Sequence, residues 1–330
     1  MRREENFQAD IILPWVDGND PRWNEKKAQY VEEANKSLND NDRYKEMGTL
    51  EFALLGIEKY AKWARKVFLV TDNQMPDFEL SDDRIQIVDH KDFIPSEFLP
   101  TFNSNTIEMN FDLIEDLAER FVIFNDDTIL IKPTYISDFF GVDGVPKDMG
   151  ALDIFRPREQ FDHITLNNLI LINNLLPKKT LIKKNIKKYF SCVYGKQGLM
   201  GLAVVSGNTW TGWRNTHLPM AYTKSLFSKV YNRVPNLREN QSRRKFRTNE
   251  DVSHWLMRYY RLALGDFWPT NHNKLGLFAT TELATLETTI TNAINGEAKL
   301  LVLNDVPMDE SEASQARIKI QRLFKPVYNG

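Results

Sequence analysis

The chain has 330 residues, 42% of them hydrophobic and 27% charged, with a formal net charge of −2. That composition suits one large globular unit, and the near-balanced charge excludes a global electrostatic attraction to nucleic acid. Cys192 is the sole cysteine, which excludes an intrachain disulfide and a cysteine-built zinc site and fits a reducing compartment.

Residues 1–6 carry no apolar run behind Arg2 and Arg3, so no signal peptide is expected. Residues 10–16 read as an apolar strand ending at Asp17-Gly18, and residues 50–63 as a helix through Leu54, Ile57 and Ala61. Strands are expected over 66–72 and 85–90, a helix over 105–119 with Ile107, Phe111, Ile114 and Leu117 on one face, and a strand over 121–127. The second half is richer in helices. They are expected over 160–176, 221–231 and 249–264, with a Lys-rich stretch at 178–188, a late strand at 300–305 and a helix at 311–324. No apolar run is long enough to span a bilayer, and no repeat or Gly/Ser-rich linker divides the chain.

Continuous apolar strands alternating with helices predict an α/β fold: a mostly parallel sheet flanked by helices, with a helical substrate-facing lobe. One unit over 1–330 is expected, with a ligand-binding α/β half at 1–150 and a lobe at 151–330 that returns to the core near 300–305. In such sheets ligands sit beyond the carboxyl ends of the strands. Asp17, Asp72, Asp89, Asp126 and Asp127 should therefore gather on one rim.

Asn125-Asp126-Asp127 closes an apolar strand. Two adjacent carboxylates there suit a hard cation, Mg²⁺ or Mn²⁺, able to neutralise a diphosphate; a capped turn is the other reading. Asp17-Gly18 combines an acid with a residue that lets a ligand approach the backbone, or forms a turn capped by Asn19 or Asp20. Ser104 or Asn105 could cap the next helix, with Glu108 in its first turn. That is either a capping box or a phosphate-binding helix start with Glu108 facing an acceptor. His217, in a loop before Leu218-Pro219, is a general acid/base or an exposed imidazole. Arg247 is a phosphate ligand or a surface charge. Asn304-Asp305 is a second metal contact or a turn. His163, His254 and His272 show no ligand spacing and are taken as structural. The basic clusters at 178–188 and 243–245 are solvated faces or contacts to an anionic glycan or membrane surface.

Four stretches together resemble the Stealth family of sugar-phosphate transferases. They are Asp10 through Pro21; Arg43-Tyr44 through Glu58-Lys59-Tyr60, Val70-Thr71-Asp72, Leu99-Pro100-Thr101-Phe102-Asn103-Ser104 and Asn125-Asp126-Asp127; His217-Leu218-Pro219 with Phe246 through Asp251; and Leu303-Asn304-Asp305. The acidic corner is also similar to that of GT-A nucleotide-sugar enzymes, so a GT-A-like sheet is implied. The resemblance implies transfer of hexose-1-phosphate from a UDP-sugar to a hydroxyl, with release of UMP. Glu108, Asp126 or Asp127, His217 and Arg247 fall at the family's catalytic positions. Asp17, Gly18, Asp72 and Asn105 are assigned to the nucleotide, and Asp126, Asp127 and Asn304 to the metal. The proton acceptor is His217 or Glu108. Glu51 and Leu55 depart from the family, which has arginines there. The expected setting is the cytoplasm, free or associated with the inner face of the membrane, with a nascent surface polysaccharide, lipid-linked or not, as acceptor. An ordinary glycosyltransferase releasing UDP and a non-catalytic glycan-binding subunit are the alternatives.

Overall fold

The computed structural model of the chain describes residues 7–30, 39 and 47–328. The terminal arginines and the Arg43-Tyr44 stretch lie outside the described residues. In chain order the first half contains β1 (Ala9–Pro14), α1 (Pro21–Ala28), α2 (Leu50–Tyr60), β2 (Ala64–Thr71) and β3 (Ile85–Asp89). There follow α3 (Ser104–Glu108), β4 (Arg120–Ile123), β5 (Thr128–Leu130), α4 (Ile136–Phe139) and β6 (Lys147–Asp148). The second half continues with α5 (His163–Leu175), α6 (Lys178–Tyr189), α7 (Lys196–Met200), α8 (Leu202–Val205), β7 (Met220–Thr223), α9 (Lys224–Tyr231) and α10 (Leu237–Ser242). It closes with α11 (Trp255–Leu264), β8 (Trp268–Pro269), β9 (Gly276–Thr280), α12 (Leu286–Asn295), β10 (Leu300–Asn304) and α13 (Glu310–Tyr328).

The main sheet has the order β3-β2-β1-β4-β7. Its first four strands are parallel and β7 is antiparallel to β4. The expected mostly parallel, helix-flanked sheet is therefore present. Its strands are apolar on both faces because both faces are covered. Alternation sorts the side chains. Ile12, Phe68, Val70, Phe121 and Ile123 join a core with Ile172 of α5, Phe227 of α9 and Leu256 of α11. Ile11, Leu13, Val67, Leu69 and Val122 join the other face with Leu54 and Ile57 of α2.

A second sheet, β5-β10-β9, stands beside the first. α12 and α13 cover it through Ile290, Ile320 and Phe324. Leu55, at one of the positions that depart from the family, packs against this core. α2 lies directly on β5: a Cβ on Gly56 would meet the Leu130 carbonyl oxygen at 2.8 Å, so only glycine permits that approach.

Several predicted elements change. The helix expected over 105–119 stops at Glu108 and gives way to a 3₁₀ turn at Phe111–Leu113. Buried Asn110 donates its amide to the Thr106 carbonyl and to Ser242 Oγ, diverting the chain from helical bonding. The helix expected over 221–231 begins as strand β7, because Ala221 and Tyr222 pair with β4 in the core. Thr223 then caps α9. The helix expected from 249 starts at Trp255. The late strand forms the centre of the second sheet, with Leu300 and Val302 packed in the same core as Ile11 and Leu13 of β1. β5, β9 and α12 were not legible in the sequence pattern.

Candidate active site

The strand order reverses between β1 and β4, since β2 and β3 lie to one side of β1 and β4 to the other. A crevice at the carboxyl ends of these two strands is the position where such sheets take their ligands. The chain leaves β1 through Trp15, whose N–H donates to the Val70 carbonyl, and reaches Asp17-Gly18. Gln74 fixes this loop from the end of β2. Its carboxamide accepts from the Asp17 N–H at 3.0 Å and donates to the Asp17 carbonyl at 2.8 Å. The Asp17 carboxylate accepts from the Asn19 N–H, and Asp20 caps α1.

Not every acid on this rim is available to a ligand. Asp72 is paired with Lys26 at 2.5 Å, and Asp89 caps the turn at His90–Asp92. Buried His90 lies 3.9 Å from Asp72, and burial lowers its pKa to about 4. It is neutral at physiological pH.

Beyond β4 the chain turns sharply, the Thr128 N–H donating to the Asn125 carbonyl at 3.0 Å. The turn is fixed from outside by the Leu303 N–H, which donates to the Asp127 carbonyl at 3.0 Å. Asp126 and Asp127 are half-buried and Asn304 is exposed beside them, its side chain donating to the Asp305 carbonyl. Burial pushes the Asp127 carboxyl up to about 6. A carboxylate placed where its charge is unfavourable suits a site that receives a cation. Among the described residues no three His, Cys, Asp or Glu side chains form a metal cluster. The donor set instead matches an ion that takes one or two protein carboxylates and completes its shell with substrate phosphates and water, as Mg²⁺ does.

His217 arrives from the opposite direction. Met220 pairs with Ile123, so the chain entering β7 runs alongside the chain leaving β4. This register starts His217-Leu218-Pro219 from the same end of the sheet at which β4 runs into the acidic turn. His217 adopts φ 51°, a left-handed conformation uncommon outside glycine. Its ring lies between Trp255, at 5.7 Å, and Phe278 of β9, at 5.3 Å. The surrounding protein, and then the Arg258 charge, lower its pKa. Behind it Arg258 and Arg261 share Asp148, all three buried. The Arg258 guanidinium lies 5.1 Å from the Trp255 ring centre.

Glu108 ends α3, and its carboxylate lies 2.7 Å from His254 Nδ1. His254 immediately precedes Trp255, so the Glu108–His254 pair adjoins the ring that supports His217. Both members of the pair are largely buried. His254, which shows no ligand spacing in the sequence, thus pairs with Glu108 beside that ring. Arg247 donates to Ser104 Oγ at 2.9 Å from the first residue of the same helix. Buried Asp251 makes this possible by accepting from Asn103 at 2.8 Å, Asn105 at 3.1 Å and Thr248 at 3.0 Å. It ties the loop before α3 to the loop carrying Arg247.

These bonds correct the expectation for Asn105. Its side chain is committed to Asp251, and its N–H bonds to Asn103, which is the actual cap. α3 has five residues, too short a dipole to serve as the expected phosphate-binding helix start. Gln74 and Asp251 were not singled out from the sequence, and His254 carried no ligand spacing; each acts through a partner more than 50 residues away.

The fold defines an α/β protein with a mostly parallel central sheet whose strand order reverses between β1 and β4. Residues 7–33 match conserved region 1 of Stealth proteins and residues 43–148 match conserved region 2. The capsular polysaccharide phosphotransferase WcwK of Streptococcus pneumoniae is 37% identical, covering 81% of this chain and 80% of that protein. The exopolysaccharide phosphotransferase cps2G of Lactiplantibacillus plantarum is 32% identical over 97% of this chain and 94% of its own length. The receptor polysaccharide phosphotransferase WefC of Streptococcus gordonii is 35% identical over 82% and 83%. The chain belongs to the Stealth family. A solved galactosyltransferase, LgtC with donor and acceptor sugar analogues, superposes with a TM-score of 0.41 at 8% identity, covering 96% of this chain and 95% of that one. So loose a fit decides nothing about mechanism.

Proposed function

We propose that this protein is a polysaccharide phosphotransferase working from a GT-A-like crevice. It moves hexose-1-phosphate or N-acetylhexosamine-1-phosphate from a UDP-sugar to a hydroxyl of a bacterial surface glycan. The names of its relatives give the reaction class. The observation that supports the site assignment is the β4–β7 register, in which Ile123 pairs with Met220, so that the chain segments carrying His217 and Asp126-Asp127 lie at the same end of the sheet. The whole chain acts as one catalytic unit, residues 1–150 receiving the nucleotide and residues 151–330 supplying the acceptor side.

The acceptor oxygen attacks the phosphorus nearest the sugar. A new O–P bond forms while the bond from that phosphorus to the bridging oxygen breaks, so UMP departs in line. Such chemistry depends mainly on positioning and on neutralising charge. Asp126 and Asp127, with Asn304 beside them, would hold Mg²⁺ or Mn²⁺, which supplies positive charge to the diphosphate. Asp17 and Gly18, held by Gln74, form the wall facing the nucleotide, and Asp72 fixes α1 there through Lys26. His217 takes the acceptor proton. Its lowered pKa leaves it neutral and ready to accept. Arg247 steadies the transferring phosphoryl oxygens. Glu108 orients His254 and confines the acceptor side.

Nucleotide product analysis tests this. Purified protein is incubated with UDP-hexoses, Mg²⁺ or Mn²⁺ and glycan acceptor. Appearance of UMP, lost on chelation, is the expected result. UDP in its place would mean ordinary glycosyl transfer, and donor binding without either product would mean a non-catalytic subunit.

A further inference from the structure

One surface of the helical lobe is not used by this chemistry. No Asp or Glu occurs between Asp162 and Glu239, while seven lysines fall between residues 178 and 196. α6 buries Ile182 and Tyr189 and turns Lys179, Lys183, Lys184, Ile186 and Lys187 outward. The segment after it folds back along the helix. Tyr194 donates its hydroxyl to the Lys188 carbonyl, and Lys178 donates to the Val204 carbonyl, tying both ends down. Between those ties, large aliphatic side chains face outward: Leu199 is 67% exposed, Met200 64% and Leu202 55%, and Val193, just before the first tie, is also exposed. A water-facing cluster of this kind beside a basic helix marks an interaction surface.

We propose that this face docks on an anionic phospholipid bilayer, with the α6 lysines at the headgroups and Val193, Leu199, Met200 and Leu202 entering the acyl boundary. The charge pattern fits an anionic surface, because lysine-rich segments gather at acidic leaflets. The aliphatic cluster separates the bilayer from an acidic polysaccharide. A polyanion gains nothing from Leu199 or Met200, whereas a membrane interface takes up apolar side chains flanked by lysines. Among the described residues no helix is long and apolar enough to cross a membrane, so attachment at this face is peripheral. None of these residues belongs to the reactive rim, and the proposal does not depend on the reaction assigned to it.

The test is co-sedimentation of the full-length protein with vesicles, in the absence of donor and acceptor. Vesicles rich in phosphatidylglycerol are compared with pure phosphatidylcholine. The protein is expected to partition onto the anionic vesicles and to be released by high salt. The triple variants K183E/K184E/K187E and L199S/M200S/L202S are each expected to lose about tenfold in partitioning while melting at the wild-type temperature. Equal binding to both lipids, no binding to either, or wild-type partitioning by the folded variants overturns the proposal. So does full competition by a soluble polyanion that the aliphatic variant still binds, which would identify a polysaccharide surface instead.

Discussion

Asp127 offers a quantitative test of the cation site. Burial raises its carboxyl from 3.8 to about 6. An acid whose folded pKa is raised contributes its full stability below the unfolded value and loses that contribution as pH rises through the folded value. At pH 8 without metal, holding the charge therefore costs about 3 kcal/mol. Asp127→Asn keeps the shape and cannot ionise. With an unfolding entropy of about 2.1 cal/mol/K per residue, the variant should melt roughly 4 °C above the wild type in EDTA at pH 8, and level with it at pH 4. Saturating Mg²⁺ should reverse the order, stabilising the wild type through binding to the folded state alone. Turnover of the variant should fall at least about 100-fold, since a carboxylate contact to the ion is lost. Differential scanning fluorimetry across pH, with and without metal, reads the first effects and UMP release the last. A variant that melts at or below the wild type in EDTA at pH 8, or that turns over normally, refutes the reasoning.

The remaining predictions concern the residues around that site. Asp148→Asn leaves buried Arg258 and Arg261 without their shared carboxylate and should cost about 3–5 kcal/mol in urea unfolding; a loss under about 1 kcal/mol would show that the arginines find other partners. His90 and His272 are held neutral by burial, each lowered to about 4. The unfolded chain alone takes up their protons between about 6.5 and 4, so stability should fall by about 3 kcal/mol per imidazole over that window and level off beneath it. The Asp127 carboxyl works in the opposite direction over part of the same range, and calorimetry at stepped pH measures the net. Glu108→Gln and His254→Ala break one pair and should each lower kcat about 10- to 100-fold with donor KM little changed; a purely structural role would instead lower the melting temperature and leave kcat intact. His217→Ala should abolish the acid limb of the pH–rate profile, and an unchanged limb would move the proton acceptor elsewhere.

The strands that build the rim were legible because their local signal is strong. Residues 10–16, 66–72 and 85–90 are short apolar runs with acidic or polar ends, and β1, β2 and β3 overlap them, β1 and β2 starting one and two residues earlier. Where the sequence misled, a distant partner outweighed a local preference. The apolar spacing of Ile107, Phe111, Ile114 and Leu117 is helical, yet Asn110 bonds to Ser242 and breaks the helix. Ala221 and Tyr222 suit the start of a helix, yet pairing with β4 makes them strand. β5 has three residues, and β9 opens on Gly276 with Leu277 and Phe278 exposed; both are strands because they pair with β10.

The sequence by itself determined the chemistry in hand. It supplied paired carboxylates at a strand end, a lone loop imidazole, an arginine in a polar loop and a basic stretch free of acids. Those are properties of residue type and neighbourhood. Only the tertiary structure decided which of these groups meet. The antiparallel register of β7 puts the segment carrying His217 at the same sheet end as the acidic turn, buried Asp251 ties down the loop from which Arg247 reaches Ser104, and α3 presents Glu108 to His254. Each contact joins segments dozens to more than a hundred residues apart, where no spacing rule operates. Burial, which sets the charge on Asp127 and the neutrality of His90, exists only once those segments have packed.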